Sequence, residues 1–131
     1  MADELTSVLE EQLLHLAADA HPREACGIFL GRGGRIEEVR SCANVHPDPE
    51  GFFEIDPRAL IAAHRAAREG GPQVLGYFHS HPSGPPAPSA TDRANGTGDG
   101  RVWAIVGEGR VGWWRDDDGG FVPLSYVVPG G

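Results

Sequence analysis

An α/β fold, one mixed sheet flanked by helices, follows from three features of the 131-residue chain. One segment carries apolar residues at helical spacing, and a second opens on a proline suited to a first helical turn and closes at Gly70-Gly71. Several short runs rich in apolar and aromatic residues are bounded by glycine turns. The two kinds of segment interleave in the order αβββαβ(α)βββ. The length fits a single domain over residues 1–131, enough to bury one core, and no repeat or linker divides it.

Leu5, Val8, Leu9, Leu13, Leu16 and Ala17 recur at three- and four-residue steps and predict a helix from about residue 4 to about 20. His21-Pro22 stops it, because proline drives the residue before it toward extended backbone. ACGIFLG reads as a buried strand, GRGGR as a glycine turn and RIEEVRSCANV as a second strand, together a hairpin. After the HPDPEG loop, FFEID predicts a short strand, and Pro57 opens a helix through about Glu69. Gly70-Gly71 ends that helix, and QVLGYFHSH is a strand that delivers two histidines at its C-terminal end. Ser89 is an N-cap for a short helix around ATDRAN. RVWAIVG, RVGWW and FVPLSYVV are three further strands, turned at GEG and DDDGG.

Composition narrows the classes of function. With 40% apolar and 23% charged residues the chain is that of a soluble globular protein. No run approaches the ~18 apolar residues of a membrane span. The acidic, amphipathic start MADELTSVLEEQ lacks the basic head and unbroken apolar core of a secretory signal, so the expected location is the cytoplasm. Cys26 and Cys42 are too few for a disulfide framework and read as free thiols. No C-x-x-C pair is present to build a zinc knuckle. A net charge of -8, with 11 basic residues that are all scattered arginines, opposes a nucleic-acid partner.

The chemistry concentrates in HSHPSGPPAPSATD, residues 79 to 92. Residues two apart on a strand point to one face, so His79 and His81 present both imidazoles to the same side with Ser80 turned away. The proline-rich loop loses less entropy when fixed, and it can fold back to bring Asp92 to the same point. Two histidines and a carboxylate with an open position form a catalytic zinc pattern. An H-x-H pair alone is a weak signal, and Ser89-Ala-Thr-Asp92 also reads as a helix cap, with the acid complementing the helix dipole.

The complete string is more specific. His-x-His, seven residues, Ser, two residues, Asp is the signature of the JAMM (MPN+) metallopeptidases, and His79, His81, Ser89 and Asp92 fill it without a gap. HPREACGIFLGR resembles the glutamate-bearing strand of the compact prokaryotic members, and FFEIDPRALIAAHRAAREG with VLGYFHSHPSG resembles their following strand, helix and active-site strand. The likeness covers about residues 5 to 107. It implies a cytidine-deaminase-like α/β/α sandwich and one Zn²⁺ per chain on His79, His81 and Asp92. It also implies Glu24 as the general base that passes a proton from water to the leaving amine, and Ser89 as donor to the oxyanion. Spacing alone does not choose Glu24 over Glu50 or Glu54; the resemblance does. The implied substrate is a ubiquitin-like or sulfur-carrier protein cut after its C-terminal Gly-Gly, and the short, insertion-free frame favours the sulfur-carrier role. Alternatives are a RadC-like protein linked to DNA repair, which the acidic charge opposes, and a metal-free MPN scaffold, which the complete ligand set opposes.

Other residues have plainer readings. Cys26 is a small buried thiol sharing a strand face with Glu24, and His64 lies on a helix surface or edge. Trp103, Trp113 and Trp114 belong to the core, and Asp116-Asp117-Asp118 is a solvated turn. The glycines of RANGTGDG end the helix after Asp92 early. The terminal Gly130-Gly131 resembles the tail of the expected substrate and is either an ordinary frayed end or a weak product mimic.

Overall fold

The computed structural model describes residues 3–124. Helix α1 (Asp3–Ala20) leads to β1 (Cys26–Arg32) and β2 (Arg35–Cys42). Helix α2 (Pro57–Arg68), β3 (Gln73–Ser80) and α3 (Ala90–Asn95) follow. The chain continues as β4 (Val102–Gly107), β5 (Arg110–Asp117) and β6 (Gly120–Leu124). The strands form one sheet in the order β2-β1-β3-β4-β5-β6. Only the β3–β4 pair within it is parallel, and the link between these two strands carries the proline loop and α3.

Position in the sheet explains the sequence of each strand. β1 sits inside, between β2 and β3, and all its residues except Arg32 are buried, which is why it reads as an unbroken apolar run. β2 is an edge strand with one face to solvent and alternates poorly. The β1–β2 turn needs two left-handed residues, at φ of 58° and 75°, and Gly33 and Gly34 supply them.

The two faces of the sheet are covered by different helices. Leu9 and Leu13 of α1 pack on Phe29, Phe78, Ala104, Val106 and Trp113. Ala63 of α2 joins Cys26, Ile28, Leu30, Ile55 and Val74 on the other side. The result is the expected α/β/α layering, with His79 on the α2 face beside Phe53. Asp56 caps α2 by accepting the Arg58 N–H, and Pro57 occupies the first turn.

Several expectations change. Val8 lies 52% exposed, off the buried stripe of α1. FFEID is not a strand: it meets residues 43–45 only through Val45 N–H to Glu54 O and Asp56 N–H to Ala43 O, with one bridge at Asn44 and Ile55. The intervening Pro47 and Pro49 and the turn at 48–51 leave too little chain to extend that ladder. Asp116 and Asp117 are not a turn but the end of β5. Asp116 is buried and accepts the Thr97 and Gly98 N–H groups, pinning the glycine segment after α3. Trp103 and Trp113 are core, whereas Trp114 is half-buried. The expected end of the last strand beyond Leu124, and the Gly130-Gly131 tail, lie outside the described residues. Among the described residues no helix is long and apolar enough to cross a membrane.

Candidate metal centre

The site forms where β3 ends. His79 is the penultimate residue of the strand and fully buried, with Phe53 stacked on its ring at 4.2 Å and Trp103 edge-on at 5.7 Å. His81 lies just past the strand, yet its N–H still bonds Val106 O of β4 at 2.7 Å, which keeps it in register. Ser80 does turn away, but it is not idle: its Oγ accepts the Ala25 N–H at 2.8 Å and ties β3 to the segment carrying Glu24.

Asp92 arrives from α3. Ser89 Oγ accepts the Asp92 N–H at 3.1 Å, and Asp92 Oδ2 accepts the Ser89 N–H at 2.9 Å, a reciprocal cap that fixes the carboxylate in one rotamer. The capping reading and the ligand reading of this tetrapeptide therefore hold together: the cap aims the carboxylate at the histidines. α3 ends after six residues, as its glycines require.

Three atoms converge as a result. His79 Nε2 and His81 Nε2 stand 3.2 Å apart, and Asp92 Oδ2 is 3.1 Å from the first and 3.2 Å from the second. Ligands of a tetrahedral zinc, each ~2.0–2.1 Å from the ion, stand ~3.3 Å from one another, so the triangle has the size the metal demands. The tautomer of His81 agrees with this use. His81 Nδ1 lies 2.8 Å from Pro85 O, an acceptor only, so this nitrogen carries the hydrogen and Nε2 of the neutral ring offers its lone pair to the centre. Full burial lowers the pKa of His79 despite the neighbouring Asp92, holding the imidazole neutral. Burial opposes the charge on Asp92, but the neighbouring His79 and His81 and the Ser89 N–H outweigh it and hold its pKa well below the usual carboxylate range. The donor set fits a zinc ion.

Glu24 faces the same place. It precedes β1 rather than lying within it, and is 7% exposed. Burial is the largest influence on its carboxyl, followed by an opposing effect of His81 and additions from Asp92 and Asp48, and the pKa rises to about 7. Glu24, His81 and Ser89 line one cleft of about 270 Å³. An adjoining hollow adds His46, Phe52, Phe53 and Asp92. Of the two other glutamates, Glu50 lines the cleft from an exposed position and Glu54 is exposed and lines neither space, so Glu24 is the buried carboxyl at the centre. Cys26 is buried, and its thiol points to the Cys42 and Ala43 carbonyls.

Sequence reading missed the residues that hold these groups in place. Phe53, assigned to a strand, is the wall behind His79. Gly107 and Gly112 lie under the proline loop so closely that a Cβ would strike the backbone of Gly84 and Pro85 or of Pro86, and Trp114 Nε1 donates to Pro86 O at 3.1 Å. Asn44 spans the loop beside Glu24. An asparagine opening a proline-containing loop signals a turn, but its partners are set only by the fold.

Comparison with known proteins gives a consistent result. The profile of the family described as prokaryotic homologs of the JAB domain matches residues 6–116. A protein named desampylase from Haloferax volcanii is 32% identical over 132 residues, covering 97% of this chain and 93% of its own. A probable TtuB-protein conjugate cleaving protease from Thermus thermophilus is 41% identical over 85 residues, which is 65% of this chain but only 56% of that protein. A solution structure of a protein from Desulfitobacterium hafniense superposes with a TM-score of 0.71 at 30% identity, covering 87% of this chain and 84% of the other. A JAB1/MPN domain protein from Archaeoglobus fulgidus, at 24% identity and a TM-score of 0.56 over 87% and 89% of the two chains, shares the fold.

Proposed function

Because this chain belongs to the family of prokaryotic JAB-domain proteins, we propose that it is a single-domain, zinc-dependent peptidase. Its substrate in this reading is the amide bond that follows the C-terminal Gly-Gly of a ubiquitin-like or sulfur-carrier protein. One Zn²⁺ per chain is held by His79, His81 and Asp92. The observation that carries the reading is the 3.1–3.2 Å triangle of donor atoms with the buried Glu24 in the same cleft. The substrate class is supported by the relatives named desampylase and TtuB-protein conjugate cleaving protease. A cytoplasmic location belongs to the same proposal and is supported by the free thiols Cys26 and Cys42.

Zinc bound in this site would supply Lewis acidity, making water easier to deprotonate and polarising the scissile carbonyl. Glu24 accepts the proton of the attacking water and delivers it to the amine nitrogen as the C–N bond breaks. Its burial in the cleft makes this carboxyl a better proton acceptor than an exposed glutamate, as both transfers require. Ser89 Oγ already accepts the Asp92 N–H, which leaves its own hydrogen to donate to the carbonyl oxygen as charge develops there. Two glycines without side chains suit a narrow groove in which an extended tail enters.

The test is metal analysis of the purified protein together with cleavage of a sulfur carrier whose terminal Gly-Gly is amide-linked to aminomethylcoumarin. We expect about one zinc per chain, loss of most of it in His79→Ala, His81→Ala or Asp92→Ala, and retention in Glu24→Gln with turnover down by about 10² or more. Stoichiometric zinc in a His79→Ala/His81→Ala double variant, or wild-type turnover in Glu24→Gln, overturns the reading.

A further inference from the structure

One side chain outside the ligand set makes five hydrogen bonds beside Glu24. Asn44 Nδ2 donates to Glu24 O at 3.1 Å, to Pro49 O at 3.3 Å and to Phe52 O at 3.0 Å. Its Oδ1 accepts the His46 N–H at 3.1 Å and the Glu54 N–H at 3.0 Å. An amide has two hydrogens and two lone pairs, so this group is used to capacity, with one hydrogen shared between two carbonyls. The Glu24 N–H in turn bonds Pro49 O at 2.7 Å. The main chain of Glu24 is thus fastened on both sides to the 44–54 loop, through Asn44 and through Pro49. That loop carries His46, Gly51, Phe52 and Phe53, which line the space in front of Glu24.

Glu24 precedes β1 and has no strand ladder of its own. The carboxyl of a general base must be held within a fraction of an ångström of the proton it takes, and a backbone clamp is how an irregular segment achieves this. From this we infer that Asn44 is a positioning residue for Glu24, setting the place of the carboxyl through the Glu24 carbonyl and the wall that faces it. The inference rests on the reading of Glu24 as the base. It predicts a loss in turnover that passes through Glu24 and leaves the metal in place, because none of the partners of Asn44 is His79, His81 or Asp92.

Asn44→Asp separates the functions of the amide. The aspartate keeps both acceptor contacts, to the His46 and Glu54 N–H groups, and loses every donation, including the one to Glu24 O. With the carrier–aminomethylcoumarin substrate we expect one zinc per chain, KM within about 3-fold of wild type and kcat lower by about 10- to 100-fold. The decisive comparison is made on the Glu24→Gln background under single-turnover conditions at high enzyme. There Asn44→Asp causes no further fall, because a positioner has nothing left to position. Should Asn44→Asp fold poorly, Asn44→Ser, which retains one donor, is judged by the same two criteria. Unchanged kcat in a folded, zinc-loaded variant overturns the inference alone, as does a fall of equal size in both backgrounds, which marks a structural role. Wild-type turnover in Glu24→Gln overturns the assignment of the base and this inference with it.

Discussion

The Glu24 carboxyl makes the stability of the metal-free protein depend on pH. Its folded pKa of about 7 lies above the ordinary 4.5, chiefly through burial. Below the unfolded value both states are protonated and the group destabilises nothing. As pH rises toward 7 the unfolded chain releases a proton that the folded chain retains, and stability falls until both are ionised. At ~1.4 kcal/mol per unit the full effect is up to roughly 3 kcal/mol. Glu24→Gln removes it. Denaturant unfolding in the presence of a chelator is therefore expected to show the variant gaining on wild type by roughly 2–3 kcal/mol between pH 4 and pH 8. A constant difference across that range shows that the carboxyl is not desolvated. At this scale the candidate ligands and Ser89 were legible in the sequence, because H-x-H, Ser and Asp sit within one short stretch and their residue types suit zinc and proton chemistry, whereas Glu24 was picked out by the family resemblance. Asn44, Ser80 and Phe53 were not, because they act through main-chain groups and ring faces that come from elsewhere in the chain.

Between elements, the proline loop is held by β4 and β5 rather than by its own stiffness. Pro85 O fixes the His81 tautomer, and Gly107 lies against Gly84 and Pro85 with no room for a Cβ. Gly107→Ala must push the loop outward, an overpacking that costs ~1–3 kcal/mol, and it must move the carbonyl that orients His81. We expect a lower Tm and faster loss of zinc to a competing chelator. Gly119→Ala is the control, since an added Cβ there meets nothing within 4 Å and φ is not left-handed. If both substitutions leave zinc retention equal, the contact under the loop does not tune the site. Strand and helix identities were legible here wherever periodicity and caps agreed, as in α1, α2, β1 and β3. FFEID and Asp116-Asp117 misled because local propensity sees neither that the pairing partner of FFEID is interrupted by prolines nor that the Thr97 and Gly98 N–H groups await an acceptor.

On the scale of the whole molecule, the three donor atoms come from β3, the residue beyond it and α3, so an ion held by them would cross-link the C-terminal end of β3 to the loop that folds over it. Metal that binds only the folded state stabilises it by mass action, by about 2.7 kcal/mol at a hundredfold excess over Kd. We expect Tm to rise by roughly 5–10 °C on adding zinc to chelator-treated protein. The same rise in His79→Ala/His81→Ala assigns the zinc to another site.

The sequence by itself determined the two helices that cover the sheet, the strand that ends at the histidine pair and the candidate ligands His79, His81 and Asp92, because apolar patterning and metal-ligand chemistry are local properties of residue type and spacing. The α/β/α layering and Glu24 came from the family resemblance. The tertiary structure decided the rest. It buried Glu24 in the cleft while leaving Glu50 and Glu54 exposed, drew two nitrogens and an oxygen into a triangle of 3.1–3.2 Å, and set Asn44 against the Glu24 carbonyl and the Pro85 carbonyl against His81. Burial and hydrogen-bond partners depend on segments far apart in the chain, and only their packing into one sheet fixes which of them meet.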